Sequence, residues 1–261
     1  MYRDYAKSFN VIDATEAHLT VVKLLELSEL WICPYNDYFF TVGAVSSREL
    51  FDSNGPIPPD KHFPYHEYRS MINPILLTTF EDLYENVRTG LENALGTNAV
   101  YANDYIGMPG FQILGPNQQQ KLMPQDLVDK LEAAEGWSSF HVDTPYLPHN
   151  FFWNNFNSKK FNNCLTFTLA LQLPEAGSGL DVWKNIGDTQ AAIDFNASYG
   201  IKETSPIVDY DFVPYRVGDL NFFTGHVVHR VAGRHKLKRE DRRITLQGHG
   251  IECDNVWHLF Y

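Results

Sequence analysis

The sequence predicts a mainly β protein, a double-stranded β-helix or jelly roll, with helices flanking the core. From about residue 110 onward, apolar residues recur with a period of two. The alternation is cleanest over 162–173, where Leu165, Phe167, Leu169, Leu171 and Leu173 interleave with Thr166, Thr168, Ala170 and Gln172. Short segments of this kind follow one another closely, separated by glycine-containing turns such as Pro174-Glu175-Ala176-Gly177-Ser178-Gly179, as expected of an antiparallel sandwich or barrel. Helical periodicity, by contrast, is concentrated toward the N-terminus.

Taken in order, an amphipathic stretch from about Ala14 to Trp31 predicts the first helix. A Pro/Gly-rich loop, Asp52 to Pro64, reads as a lid or a plain surface excursion. The clearest helix begins at Thr78 or Thr79. Thr78 and Glu81 have capping-box spacing, Phe80, Leu83, Tyr84, Val87, Leu91 and Leu95 recur at threes and fours, and Gly96 closes it. A third helix runs from Pro124 to about Ala134, with Leu127, Val128 and Leu131 on one side. Strands are expected at 136–143, 162–173, 180–183, 206–212, 219–223, 227–231 and 243–250. One domain over 1–261 accommodates this: about 1–109 is a mixed, partly helical part buttressing the barrel, and about 110–261 is the jelly-roll core. No internal repeat is visible.

Composition narrows the function. Hydrophobic residues make up 44% and charged residues 20%, ordinary for a globular enzyme, while the 14% aromatic share suits a thick core and an apolar pocket. With 21 basic against 32 acidic residues the net charge is −11, which argues against a nucleic-acid or anionic-membrane surface. Seven basic residues nevertheless cluster at Arg230, Arg234, Lys236, Lys238, Arg239, Arg242 and Arg243, either a solvated loop or a face toward an anionic ligand. No run is long and apolar enough to span a bilayer, and no continuous apolar stretch follows the first residues, so neither a membrane anchor nor a secretory signal is expected. Cys33, Cys164 and Cys253 form no paired pattern, which suits a reducing cytoplasm. Oligomeric state is open at this level.

The chemistry lies in three elements. His141 and Asp143 stand at i and i+2, so on a strand both project to one face while Val142 packs the other way. A second imidazole comes from His226 or His229, which have opposite strand parity. His229, flanked by valines, is favoured, whereas His226 follows Thr224-Gly225 at an apparent turn. Two imidazoles and a carboxylate are the ligand set that holds a non-haem iron(II) on one face and leaves positions open for oxygen and a co-substrate. Arg243 and Thr245, again at i and i+2, can fork onto a carboxylate, the guanidinium in bidentate fashion. Arg242, of opposite parity, reads as a solvated charge. Gln247 and His249 continue the inward register and could touch substrate or serve the structure.

His-x-Asp, a distal His in a His-Arg-Val strand, then Arg-x-Thr resembles, in that order, the iron(II)/2-oxoglutarate-dependent dioxygenases. Val217-Gly218-Asp219-Leu220-Asn221-Phe222-Phe223 is similar to the turn and strand ahead of that family's distal histidine. The likeness covers about residues 137 to 250. Leu171 to Glu175, with the stretch on to Trp183, looks most like the small-molecule hydroxylase branch acting on free amino acids or compact natural products. The resemblance implies that His141, Asp143 and His229 hold Fe(II), that 2-oxoglutarate rests its far carboxylate on Arg243 and Thr245, and that O2 is consumed. An unactivated C–H bond of a small molecule would be hydroxylated, with release of succinate and CO2. Halogenating relatives have Gly or Ala where this chain has Asp143, so halogenation is disfavoured. An aromatic and amide-rich stretch after the metal segment offers Trp153 and Asn155 as substrate contacts, with Trp183 and Gln247 as further candidates. Three readings compete: a cupin-type metalloenzyme that does not use 2-oxoglutarate, a non-catalytic jelly-roll binding module, and a protein-modifying hydroxylase.

Overall fold

A computed structural model describes residues 6–33, 38–45, 65–117, 121–133, 140–199, 210–232 and 237–261. Its elements run β1 (Lys7–Asn10), α1 (Ala14–Glu26), β2 (Phe39–Val42), α2 (Tyr65–Thr79), α3 (Glu81–Leu95), β3 (Ala99–Tyr101) and β4 (Gly110–Leu114). They continue with α4 (Gln125–Ala133), α5 (Asn150–Trp153), β5 (Leu165–Gln172), β6 (Gly179–Asn185), α6 (Thr189–Tyr199), β7 (Asp211–Pro214), β8 (Asp219–Thr224), β9 (Val227–Ala232), β10 (Arg243–Cys253) and β11 (Val256–Phe260). The protein is mostly β with several helices, as expected.

The strands form two sheets. The larger has eight strands in the order β1-β8-β5-β10-β11-β3, with β4 also pairing β10 and carrying β2 beyond it. The long β10 makes this possible: Arg243 to Gln247 pair with β4, while His249 to Cys253 pair with β11. The smaller sheet is β7-β6-β9. All pairings are antiparallel except β11 with β3.

The alternation in β5 decides how the layers stack. Leu165, Phe167, Leu169 and Leu171 join the main core with Ala17, Val21 and Leu24 of α1, Ile72 and Leu76 of α2, and Leu83, Val87 and Leu91 of α3. That face of the large sheet is therefore sealed by helices, each buried leucine contributing about 2 kcal/mol. Ala170 on the opposite face meets Leu180, Val182, Phe223 and Val227, which closes one end of the space between the two sheets. Thr166 and Thr168 point into the part left open.

Several local expectations are corrected. Thr78 and Glu81 form no capping box: α2 runs through Thr79, and α3 starts after Phe80, which gives no side-chain cap. The box is at α1 instead, where Asp13 accepts from the backbone of Thr15 and Glu16, and Glu16 accepts from the N–H of Asp13. The helices α2, α5 and α6 and the strands β1 to β4 and β11 are additions to the expected elements. The expected strand at 136–143 reduces, over the residues described, to a single bridge between His141 and His229. Of the one at 206–212, the described part forms β7, Asp211–Pro214, which runs two residues further than expected. The remainder of both, and the loop 52–64, lie outside the described residues.

Candidate metal centre

The bridge at His141 sets the geometry. His141 N–H donates to the His229 carbonyl and His229 N–H to that of His141, both at 3.0 Å. Residues that exchange both bonds lie directly opposite, so their side chains leave on the same face. The two imidazole centroids are 4.4 Å apart. Asp143 then reaches both, with Oδ1 3.6 Å from His141 Nε2 and Oδ2 3.4 Å from His229 Nε2. One ligand atom from each of the three lies within 4.8 Å of the others, a spacing that a single metal ion can bridge.

The groups behind this trio prepare it for a cation. His229 Nδ1 sits 2.9 Å from the Val227 carbonyl, which only accepts, so Nδ1 carries the proton and Nε2 presents a lone pair. Burial pushes His229 down to about 4 against the pull of Asp143, keeping the ring neutral at pH 7. Burial alone would raise the Asp143 carboxyl. His229, His249 and His141 beside it, with the Thr166 hydroxyl, hold it well below the usual carboxylate range. Thr166 Oγ1 donates to Asp143 Oδ2 at 2.9 Å, which leaves its lone pairs to accept from His249 Nδ1 at 3.2 Å. His249 is thus one residue removed from the trio, behind the carboxylate.

At the other end of the same space lies Arg243, 2% exposed. Its Nε donates to Ser178 Oγ at 3.1 Å and Nη1 to Thr245 Oγ1 at 3.5 Å, and its guanidinium stands 5.6 Å from the Tyr215 ring centroid. Burial lowers its pKa while Tyr215 opposes the shift. Among the described residues no carboxylate pairs with it. Arg230 is the instructive contrast: also buried, though less deeply, it donates from Nε to Asp181 at 2.8 Å on the outer face of the small sheet. An uncompensated buried guanidinium costs several kcal/mol, so the surroundings of Arg243 suit an anion.

Trio and guanidinium share one cavity of about 450 Å³ between the sheets. Thr166, Thr168, Asn221, Gln247 and His249 line its floor, and Tyr38, Phe39, Leu114, Met123, Leu127 and Leu131 give it an apolar wall.

The solved structures can now be set beside this geometry. An N-substituted L-amino acid dioxygenase from Burkholderia ambifaria AMMD superposes with a TM-score of 0.56 at 15% identity, over 98% of this chain and 86% of that one. The same kind of enzyme from that organism in complex with alpha-ketoglutarate gives 0.55 at 16% identity, over the same shares. This chain has their fold. No family model and no curated protein matches the sequence.

In this jelly-roll-type fold, four candidates read from sequence fall outside the roles suggested for them. Trp153 is fully buried in the main core, its indole N–H donating to the Tyr146 carbonyl at 3.0 Å. Asn155 is exposed and donates to Phe152 O at 3.0 Å within its own loop. Trp183 has the parity opposite to the cavity-lining Leu180, so it packs on Phe140 outside the small sheet. None of the three lines the cavity, whereas Gln247 does. Arg242 is half-buried rather than solvated, donating to the Pro116 carbonyl at 2.7 Å. His226 stays outside the trio, as its parity implies, with Nε2 2.7 Å from the Tyr146 hydroxyl. Thr166, Ser178 and Tyr215 went unremarked as site residues. A polar face on an otherwise buried strand was the signal for Thr166, while Ser178 and Tyr215 carry none.

Proposed function

We propose that this protein is an iron(II)- and 2-oxoglutarate-dependent oxygenase hydroxylating an unactivated C–H bond of a small molecule. The observation that carries the reading is the buried Arg243, with no carboxylate partner among the described residues, in the same cavity as two imidazoles and a carboxylate. A metalloenzyme without an anionic co-substrate has no use for that guanidinium. A binding module has no use for the trio. In this reading the two sheets are the halves of a double-stranded β-helix, and the whole chain serves one active site.

The donor set fits iron(II): two imidazole nitrogens and one carboxylate oxygen, with Nε2 of His229 stripped of its proton by the bond to Val227. When bound, the metal would supply oxygen activation, with 2-oxoglutarate giving two electrons, succinate and CO2 as one oxygen atom enters the C–H bond. The protein's share is placement. Arg243, with Thr245 and Ser178 alongside, holds the distal carboxylate. Thr166 keeps Asp143 in its ionised, acceptor-only state. The apolar wall around Leu127 and Leu131 excludes water and orients the substrate. That wall favours a substrate with an apolar body, in keeping with an amino-acid derivative or natural product.

Anaerobic titration of the protein with iron(II) and then 2-oxoglutarate should give a weak visible charge-transfer band. Under air, 2-oxoglutarate should turn over to succinate. A folded protein that binds iron yet shows neither band nor succinate would refute the proposal.

A further inference from the structure

The residues that carry two of the three candidate ligands are not a strand beyond the single bridge at His141. On one side His141 has a backbone partner in His229. One residue further, the N–H and C=O of Val142 meet a side chain instead. Val142 N–H donates to Asn196 Oδ1 at 2.9 Å, and Asn196 Nδ2 donates to the Val142 carbonyl at 2.8 Å. A carboxamide offers the same donor and acceptor as a peptide unit, so Asn196 stands where a neighbouring strand would.

Asn196 sits on α6, which is itself tied down. Ala191 N–H donates to Asp188 Oδ1 at 2.8 Å in the first turn, and Thr189 N–H donates to Asn162 Oδ1 at 3.2 Å. The Tyr146 hydroxyl lies 3.0 Å from Thr189 Oγ1 and 2.7 Å from His226 Nε2. One turn before Asn196, Ala192 packs with Val142, Trp183 and Val228. His226, the histidine at the Gly225 turn, therefore belongs to the brace rather than to the trio.

We propose that Asn196 is a positioning residue for the metal centre, fixing the peptide between His141 and Asp143 so that imidazole and carboxylate converge on one ion. This rests on the metal reading above. Groups that orient ligands in this way typically change metal affinity by about 10- to 100-fold when removed.

The test is anaerobic titration with Co(II), followed by visible absorption, on the full-length wild type, Asn196→Ala and Asn196→Asp, each first checked for cooperative unfolding. Asn196→Ala should weaken Co(II) binding about 10-fold or more and alter the band shape. Asn196→Asp, which keeps the acceptor for Val142 N–H but turns a carboxylate toward the Val142 carbonyl, should also weaken it, and it carries the comparison if the alanine variant does not fold. Hydrogen exchange of the Val142 amide should quicken in the alanine variant and stay slow in the aspartate one. Wild-type affinity and band in the folded variants would overturn this inference alone. Failure of the wild type itself to take up Co(II) would overturn the metal reading, and this inference with it.

Discussion

At the scale of single residues, the informative contrast is between two arginines on the small and large sheets. Arg230 faces Asp181 directly across β6 and β9, a pairing fixed by register. Arg243 faces a cavity and, among the described residues, meets hydroxyls and a ring rather than a carboxylate. Removing the second should therefore separate stability from binding. We expect Arg243→Ala to leave ligand-free thermal stability unchanged or raised, because an uncompensated charge leaves the interior. Its affinity for 2-oxoglutarate should fall by about two orders of magnitude, the worth of a charge-assisted pair near 3 kcal/mol, as isothermal titration would read. The same scale separates the two histidines of one strand and turn. His229→Ala should abolish metal uptake in equilibrium dialysis, whereas His226→Asn should retain it, since His226 bonds to Tyr146 and Gly187 instead.

At the scale of elements, what could be read from the sequence divides along physical lines. The strands β5, β8, β9 and β10 were legible because each presents one face to helices or to the partner sheet and the other to the cavity, so sequence parity tracks burial. The same parity puts His229 and Arg243 in the cavity lining, with Thr245 against the Arg243 guanidinium, while His141 and Asp143 reach it from a single bridge rather than a strand. The helix α6 was not legible: its few apolar residues pack on a small satellite cluster, and its tie to the site runs through one asparagine, which no periodicity marks. Trp153 and Trp183 illustrate the converse failure. Proximity in sequence to the metal segment suggests substrate contact for Trp153, but its segment turns it into the core, and strand direction turns Trp183 away as well. The turn between β8 and β9 also belongs here. Gly225 has φ +88°, and a Cβ there would lie 2.1 Å from Asn185 Nδ2, so Gly225→Ala meets both strain and a clash. A loss of about 2 kcal/mol in urea unfolding is expected, with His229 displaced as a consequence.

At the scale of the whole molecule, buried imidazoles set the response to pH. Burial holds His149 and His229 at about 4 each, below the ordinary 6.5. Between those values the unfolded chain binds more protons than the folded one, so stability of the metal-free protein rises with pH through that window. Each residue alone corresponds to about 3 kcal/mol over the full interval. Denaturation midpoints should thus fall steadily from pH 6.5 toward 4, and His149→Phe, which replaces a ring already packed on Tyr65 and Phe260, should flatten the fall. An unchanged slope in that variant would show that His149 does not titrate as its burial implies.

The guanidinium's place in a cavity walled by apolar side chains has a kinetic corollary. Under the proposed function, the dicarboxylate on Arg243 and a partner settling against Tyr38, Phe39 and Leu127 would fill one shared space. We expect an excess of that partner to slow turnover by occupying the space first, which initial rates at fixed 2-oxoglutarate would show.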